Sequence, residues 1–197
     1  MNTNDIVAAL ENRFVEVEAS GRHVHLTRDA AQALFGHGLT EQSPLSQPGQ
    51  YLCKERVTLV GPKGTLERVA VLGPERRENQ VELSLTDGVA LGISVPVRLS
   101  GEVAGAPEVT VRGESGQIAA PAIAARRHIH LTPEDAKRCG VTDCKTVRIQ
   151  ILTDRPVIFD DVAVRIHESF APRVHLDYDE ANACHFRKGE LGLILRG

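Results

Sequence analysis

Two histidines separated by one residue occur twice in this chain, as His23-Val24-His25-Leu26-Thr27 and as His128-Ile129-His130-Leu131-Thr132. A third phrase, Arg173-Val174-His175-Leu176-Asp177, repeats the pattern with arginine in place of the first histidine. Alternate side chains of an extended strand share a face, so each pair turns two imidazoles to the same side. Two imidazoles on a stiff strand form half of a zinc-type site. Five of the eight histidines fall in these phrases, and repetition in matched context favours metal ligation over isolated core or surface histidines. His37, His167 and His185 lack that context and are expected to face solvent.

Other residues could take part in the same chemistry. Arg76 and Arg77 follow Pro74-Glu75, and Glu82 lies a few positions further on. An arginine fork grips phosphate, and a glutamate can complete a histidine metal site. Lys63, in the turn Gly61-Pro62-Lys63-Gly64, is a second candidate for an anionic group. Cys53 is expected to be buried and is a spare ligand candidate.

The phrases need elements to hold them. Each is followed by a residue suited to cap a helix (Thr27, Thr132, Asp177) and then by a run of acidic residues and alanine. Thr132-Pro133-Glu134-Asp135 has a cap, a proline at the first helical position and a carboxylate facing the free amides. The repeated unit is therefore a strand ending in histidines, a tight corner and a short helix. The helix N-terminus supplies partial positive charge beside the imidazoles, a setting that suits a metal together with an anionic substrate.

Between the phrases the chain reads as β-rich. Short strands are expected at 56–60, 66–72, 80–85, 95–99 and 108–112, the third running into the turn signal Asp87-Gly88. Residues 113–121 read as a connector, and further strands are expected at 146–152, 157–164 and 191–195. Ile6, Val7, Leu10 and Phe14 at helical spacing predict a short amphipathic helix over 1–15. Short strands at this spacing point to small barrels and away from a parallel α/β sheet.

Composition narrows the function classes. The 197 residues suffice for one domain or two small ones, and 42% hydrophobic content without a long apolar run implies a soluble globular protein. Charges are near balance, 23 basic against 26 acidic, and aromatic residues make up only 4%, so neither nucleic acid nor membrane is an expected partner. No secretory signal is read at the start, and the four cysteines form no C-x-x-C spacing, which places them as reduced thiols in the cytoplasm.

These motifs, in order, resemble the phosphate propanoyltransferases, the PduL-type phosphate acyltransferases. The resemblance is carried by Arg22-His23-Val24-His25-Leu26, Gly61-Pro62-Lys63-Gly64 and Val71-Leu72-Gly73-Pro74 through Gln80-Val81-Glu82. It continues in Arg126-Arg127-His128 through Ala136, and in Val174-His175-Leu176 through Glu180-Ala181-Asn182, and it covers the chain from about Glu16 onward. It implies a mainly β fold with short helices: two small interleaved β-barrels with the active site at their junction. The first barrel would take residues 1–19 and 126–197, the second 20–125. The implied reaction is reversible acyl transfer between coenzyme A and inorganic phosphate, with two divalent transition-metal ions, zinc foremost.

By matched motif, the resemblance implies His23, His25, Glu82 and His175 as ligands of one ion. It implies His128 and His130 as ligands of the other, which meets the coenzyme A thiol. Arg76 would bind phosphate, and Ala19, Ser20, Gly21, Lys63 and Asn182 would line coenzyme A. Arg22, Arg126 and Arg127 could offset that cofactor's charge. Two departures from the family pattern, Gly21 before Arg22-His23 and Ala70 in place of a basic residue, both bear on the coenzyme A grip. The short N-terminal extension suggests a free cytoplasmic enzyme, with microcompartment association disfavoured, and a homodimer is expected. The alternatives are a metal-dependent thioester or phosphoester hydrolase, and a barrel whose metals serve structure only.

Overall fold

The computed structural model describes residues 13–195. The chain divides into two compact units, one of residues up to Ser20 with those from Arg126 on, the other of Gly21–Ala125. The expected boundary stood one residue earlier. Ser20 stays with the first unit, where its N–H donates to the Leu176 carbonyl at 2.7 Å.

The unit Gly21–Ala125 holds β2 (His23–His25), α1 (Arg28–Phe35), β3 (Glu41–Pro44), β4 (Tyr51–Val60), β5 (Thr65–Gly73), β6 (Gln80–Leu83), α2 (Leu85–Leu91), β7 (Val97–Arg98), β8 (Glu108–Arg112) and β9 (Gln117–Ala125). Its pairings run β4–β5–β2–β6–β9–β8 and return to β4, a closed six-stranded barrel, with β3 added on β4 and β7 on β9. The other unit holds β1 (Phe14–Ala19), β10 (His128–Leu131), α3 (Pro133–Cys139), β11 (Thr146–Ile151), β12 (Val157–Ile166), β13 (Arg173–Leu176), α4 (Tyr178–Ala183) and β14 (Leu191–Leu195). It closes as β1–β13–β10–β12–β11–β14.

The two barrels share one plan. In each, the histidine strand pairs in parallel with one neighbour (β5 or β12) and antiparallel with another (β6 or β13). The second neighbour pairs in parallel with β9 in one unit and β1 in the other. The N-terminal strand thus fills, in the first unit, the place that β9 fills in the second.

Most expected strands are present, with informative exceptions. Asp87-Gly88 lies inside α2 and makes no turn: Ser84 caps the helix and Asp87 closes a capping box back to the Ser84 N–H, which overrides the local turn preference. The expected connector 113–121 is mostly β9, held along its length by β6 and β8. Phe14 and Val15, expected to end a helix, are the first residues of β1; the rest of that expected helix lies outside the described residues. The three predicted strand–corner–helix units all form, with Thr27, Thr132 and Asp177 as N-caps accepting from the third residue on.

Each barrel encloses its own core. Leu26, Leu34, Leu59 and Leu91 are fully buried in one, Ile129, Leu131, Ile149 and Ile151 in the other, and each such side chain contributes about 1.5–3 kcal/mol. In the second unit two hairpin turns of the form Gly-x-x-Gly close over helix ends. Gly61–Gly64 bonds the C-terminal carbonyls of α2 through Lys63 N–H to Leu91 O at 3.0 Å, and Gly113–Gly116 bonds those of α1 through Ser115 N–H to Leu34 O at 2.8 Å. These otherwise unsatisfied carbonyls are bonded only because no side chain keeps the turn away. A Cβ on Gly61 would sit 2.2 Å from Leu91 O, and one on Gly113 2.4 Å from Leu34 O. Gly61→Ala and Gly113→Ala should each destabilise the protein by about 1–3 kcal/mol, visible as a lowered denaturation midpoint, while Pro62→Ala in the exposed turn should stay within about 0.5 kcal/mol.

Candidate metal centres

His23 and His25 sit on β2, buried on every side. Antiparallel pairing sets Glu82 of β6 directly opposite His23. The three donor groups converge: His23 Nε2 to His25 Nε2 is 3.1 Å, His25 Nε2 to Glu82 Oε1 3.3 Å and His23 Nε2 to Glu82 Oε2 3.6 Å. Around a tetrahedral zinc with bonds of 2.0–2.1 Å, neighbouring ligand atoms stand about 3.3 Å apart, so these separations fit one face of such a site.

The first unit repeats the arrangement. β13 sets His175 opposite His128, with Val174 against Ile129 and Arg173 against His130. The rings of His128, His130 and His175 lie with centroids 4.7–5.0 Å apart. Donor atoms in each of the two groups, His23–His25–Glu82 and His128–His130–His175, lie within 4.8 Å of one another. Within its own unit His175, expected with His23, His25 and Glu82, lies with His128 and His130, because β13 is the antiparallel neighbour of β10.

The same register shows what the sequence concealed. Gln80-Val81-Glu82-Leu83-Ser84 occupies in its unit the place of Arg173-Val174-His175-Leu176-Asp177 in the other, down to the capped helix that follows. It is a fourth copy of the phrase, with glutamate for histidine.

Hydrogen bonds at the back of the rings fix their orientation. His23 Nδ1 lies 2.8 Å from the Gly21 carbonyl and His128 Nδ1 2.9 Å from the Arg126 carbonyl, in each case two residues upstream. A ring that donates from Nδ1 to a carbonyl presents its Nε2 lone pair forward, the usual arrangement of a metal-binding histidine. Both ring nitrogens of His130 and Nδ1 of His25 are buried without a hydrogen-bond partner among the described residues. Each such polar atom costs about 1–3 kcal/mol left as it is, and a cation held by the second group would give one of the two His130 nitrogens a partner. The donor sets fit divalent ions that take imidazole and carboxylate.

Electrostatics agree with that use. Burial opposes the charge on Glu82, but His23 and His25 hold its carboxyl well below the ordinary carboxylate value. Burial and repulsion from His23 press His25 down to about 4, with Glu82 acting against them. Burial also lowers His23, but the charge and hydrogen bond of Glu82 override it and its pKa is raised. His130 is pushed down to about 3 by burial and by the charges of His128 and Arg165, and its ring stacks on Phe170 at 4.2 Å.

Arg76 stands near the first group, where its charge acts against protonation of both His23 and His25. Its backbone N–H donates to Leu26 O at 2.8 Å, which anchors the segment after β5 to the end of the histidine strand. Its guanidinium donates to Ser100 Oγ at 3.0 Å, and Arg77 is exposed.

The residues expected to line coenzyme A divide between the units. Lys63 is exposed in its hairpin turn in one, whereas in the other Ala19 pairs with Leu176 and Asn182 is exposed on α4. Gly21 contributes the carbonyl that orients His23. Arg22, Arg126 and Arg127 each meet a carboxylate, in Asp87 at 2.9 Å, Asp161 at 2.8 Å and Glu180 at 2.9 Å, so their charge is already offset. Cys53 is buried with its thiol pushed up to about 12 by burial and nearby carboxylates, and it belongs to neither ligand group. His37, His167 and His185 are exposed as expected. Gln80, Ser100 and Phe170, which contact these groups, carried no signal of their own in the sequence.

Known sequences match nearly the whole chain. The family model described as phosphate propanoyltransferase matches residues 16–187. A phosphate propanoyltransferase of Listeria monocytogenes is 54% identical over 192 residues, covering 95% of this chain and 90% of its own. That of Clostridioides difficile is 47% identical over 202 residues, covering 98% and 97%. That of Thermotoga maritima is 48% identical over 184 residues, covering 91% and 88%. No helix among the described residues is long and apolar enough to cross a membrane. Family match, near full-length relatives and the paired barrels converge: this chain belongs to the phosphate propanoyltransferase family and is a phosphate acyltransferase.

Proposed function

We propose that the protein interconverts a short-chain acyl-CoA plus inorganic phosphate with acyl phosphate plus coenzyme A. In this reading His23, His25 and Glu82 hold one divalent ion, zinc foremost, and His128, His130 and His175 hold a second. The observation that carries it is the pair of three-ligand clusters built on one strand plan, one of them with an arginine beside it. Such ions, when bound, supply a Lewis acid that polarises a thioester carbonyl and lowers the cost of a leaving thiolate.

The protein's own groups do the rest. A phosphate oxygen attacks the thioester carbonyl carbon, a C–O bond forms, the C–S bond breaks and the thiolate leaves as coenzyme A. Phosphate brings its own nucleophilic oxygen, so no serine or cysteine nucleophile is required. Phosphate does require orientation and relief of repulsion, which the planar fork of Arg76 provides. In this reading Lys63, exposed on the same barrel, meets an anionic group of coenzyme A. Phosphate dependence tests the reading: acyl-CoA should release thiol only with phosphate present, and hydroxylamine should trap the acyl phosphate as a hydroxamate. Equal thiol release without phosphate would show a hydrolase.

Metal content should be close to two ions per chain, and His128→Ala should lose one of them with nearly all turnover, whereas His185→Ala should keep both. Arg76→Ala should raise the KM for phosphate or lower turnover by roughly one to two powers of ten, equivalent to about 1.5–3 kcal/mol, and leave acyl-CoA binding nearly intact. Arg77→Ala should be much milder.

His130 also sets a pH dependence for protein stripped of metal. Its pKa is lower folded, about 3, than the ordinary 6.5, so the unfolded chain takes up the proton first. Stability from this group is whole above 6.5 and is lost as pH falls from there toward about 3. Over that range the melting temperature of the metal-free protein should fall more steeply in the wild type than in His130→Leu.

A further inference from the structure

One buried carboxamide in the second unit joins the carboxylate of the ligand group to the arginine beside it. Gln80 of β6, 4% exposed, donates from Nε2 to Glu82 Oε1 at 2.5 Å and to Ser100 Oγ at 3.0 Å. Its Oε1 accepts the Gly101 N–H at 2.7 Å. Ser100 Oγ also accepts from Arg76 at 3.0 Å, which completes an unbroken chain from Arg76 through Ser100 and Gln80 to Glu82. The amide has a single satisfied orientation. Turned over, it would set its oxygen against the Glu82 carboxylate and its NH₂ against the Gly101 N–H.

The corresponding position in the other barrel shows what is particular here. There Arg173 stands opposite the second histidine of the pair, as Gln80 stands opposite His25, and Arg173 ion-pairs outward with Glu16 at 2.9 Å. Beside Glu82 a neutral donor replaces that charge. An amide can bond the carboxylate without competing for it as a counter-ion, so Glu82 keeps its full charge for the cation.

We propose that Gln80 is a positioning residue: it fixes the Glu82 carboxylate toward the ion and, through Ser100, sets Arg76 for phosphate, so that metal affinity and phosphate binding depend on one side chain. The proposal rests on the functional reading above. Groups that orient metal ligands typically change metal affinity or activity by about 10- to 100-fold when removed.

Gln80→Glu and Gln80→Met separate positioning from loop support. Gln80→Glu keeps the length and the acceptor for Gly101 but loses both donors. The readouts are zinc affinity by chelator competition, KM for phosphate, KM for acyl-CoA and melting temperature, with Glu82→Ala and Arg76→Ala as references. Both Gln80 variants should bind zinc at one of the two sites about 10- to 100-fold more weakly and raise the phosphate KM about tenfold, with the acyl-CoA KM nearly unchanged. Ser100→Ala should raise the phosphate KM and leave zinc affinity alone. Should Gln80→Met unfold, Gln80→Glu decides. Gln80→Glu binding zinc and phosphate like the wild type, while Glu82→Ala loses zinc and Arg76→Ala loses phosphate, would overturn the proposal and leave the functional reading intact. Full zinc retention in Glu82→Ala would instead overturn the functional reading, and the proposal with it.

Discussion

Antiparallel pairing between a histidine strand and its return strand decides where the candidate ligand groups of this protein converge. In one barrel it sets Glu82 opposite His23, in the other His175 opposite His128. Directly opposed residues on one face bring their Cβ atoms to about 5 Å, a span that an imidazole and a carboxylate, or two imidazoles, close to contact between donor atoms. A slip of one residue in either pairing would turn Glu82 or His175 to the opposite face, away from the histidine pair. Two features hold the register. The centre of each pair is a fully buried valine or isoleucine (Val24 with Val81, Ile129 with Val174), and the end of each strand is a capped helix that cannot shift without losing its cap.

This geometry carries a cost that explains its electrostatics. Histidines and a carboxylate are taken out of water, where the charged forms are disfavoured unless paired. The first group is partly self-compensating: Glu82 and His23 favour each other's charge, while His25 is kept neutral. The second group has no acid among its three side chains, and His130 is pressed further down. The two sites therefore differ in charge by one carboxylate although the backbone plan is shared. Arg76 and the neutral Gln80 stand beside the carboxylate-bearing site, and Phe170 packs against the histidine-only one.

Local chemistry was legible in the sequence, and pairing was not. The His-x-His phrases, the caps at Thr27, Thr132 and Asp177 and most strands follow from alternation and turn signals within a few residues. The partner of His175 depends on which strand lies beside which, and no window of sequence contains that information. The fourth phrase is hidden in the sequence because glutamine and glutamate stand where histidine or arginine marks the others, although the hydrophobic spacing and the capping serine are intact. β9 reads as a connector in sequence because its alanines and proline carry little strand preference and Gly113 and Gly116 precede it; its neighbours on both sides impose the extended form. Ser100 contacts Arg76 across 24 residues of chain, and only the fold brings them together.

On the proposed reading, each barrel builds one ion site from its own histidine strand and its own return strand. Anomalous diffraction from zinc-loaded crystals, with data on both sides of the zinc edge, tests it most directly. Two separate zinc peaks are expected in each chain, one within bonding distance of His23, His25 and Glu82 and the other within bonding distance of His128, His130 and His175. A zinc peak ligated by His175 together with His23 and His25, or a single peak shared by both histidine pairs, would contradict it.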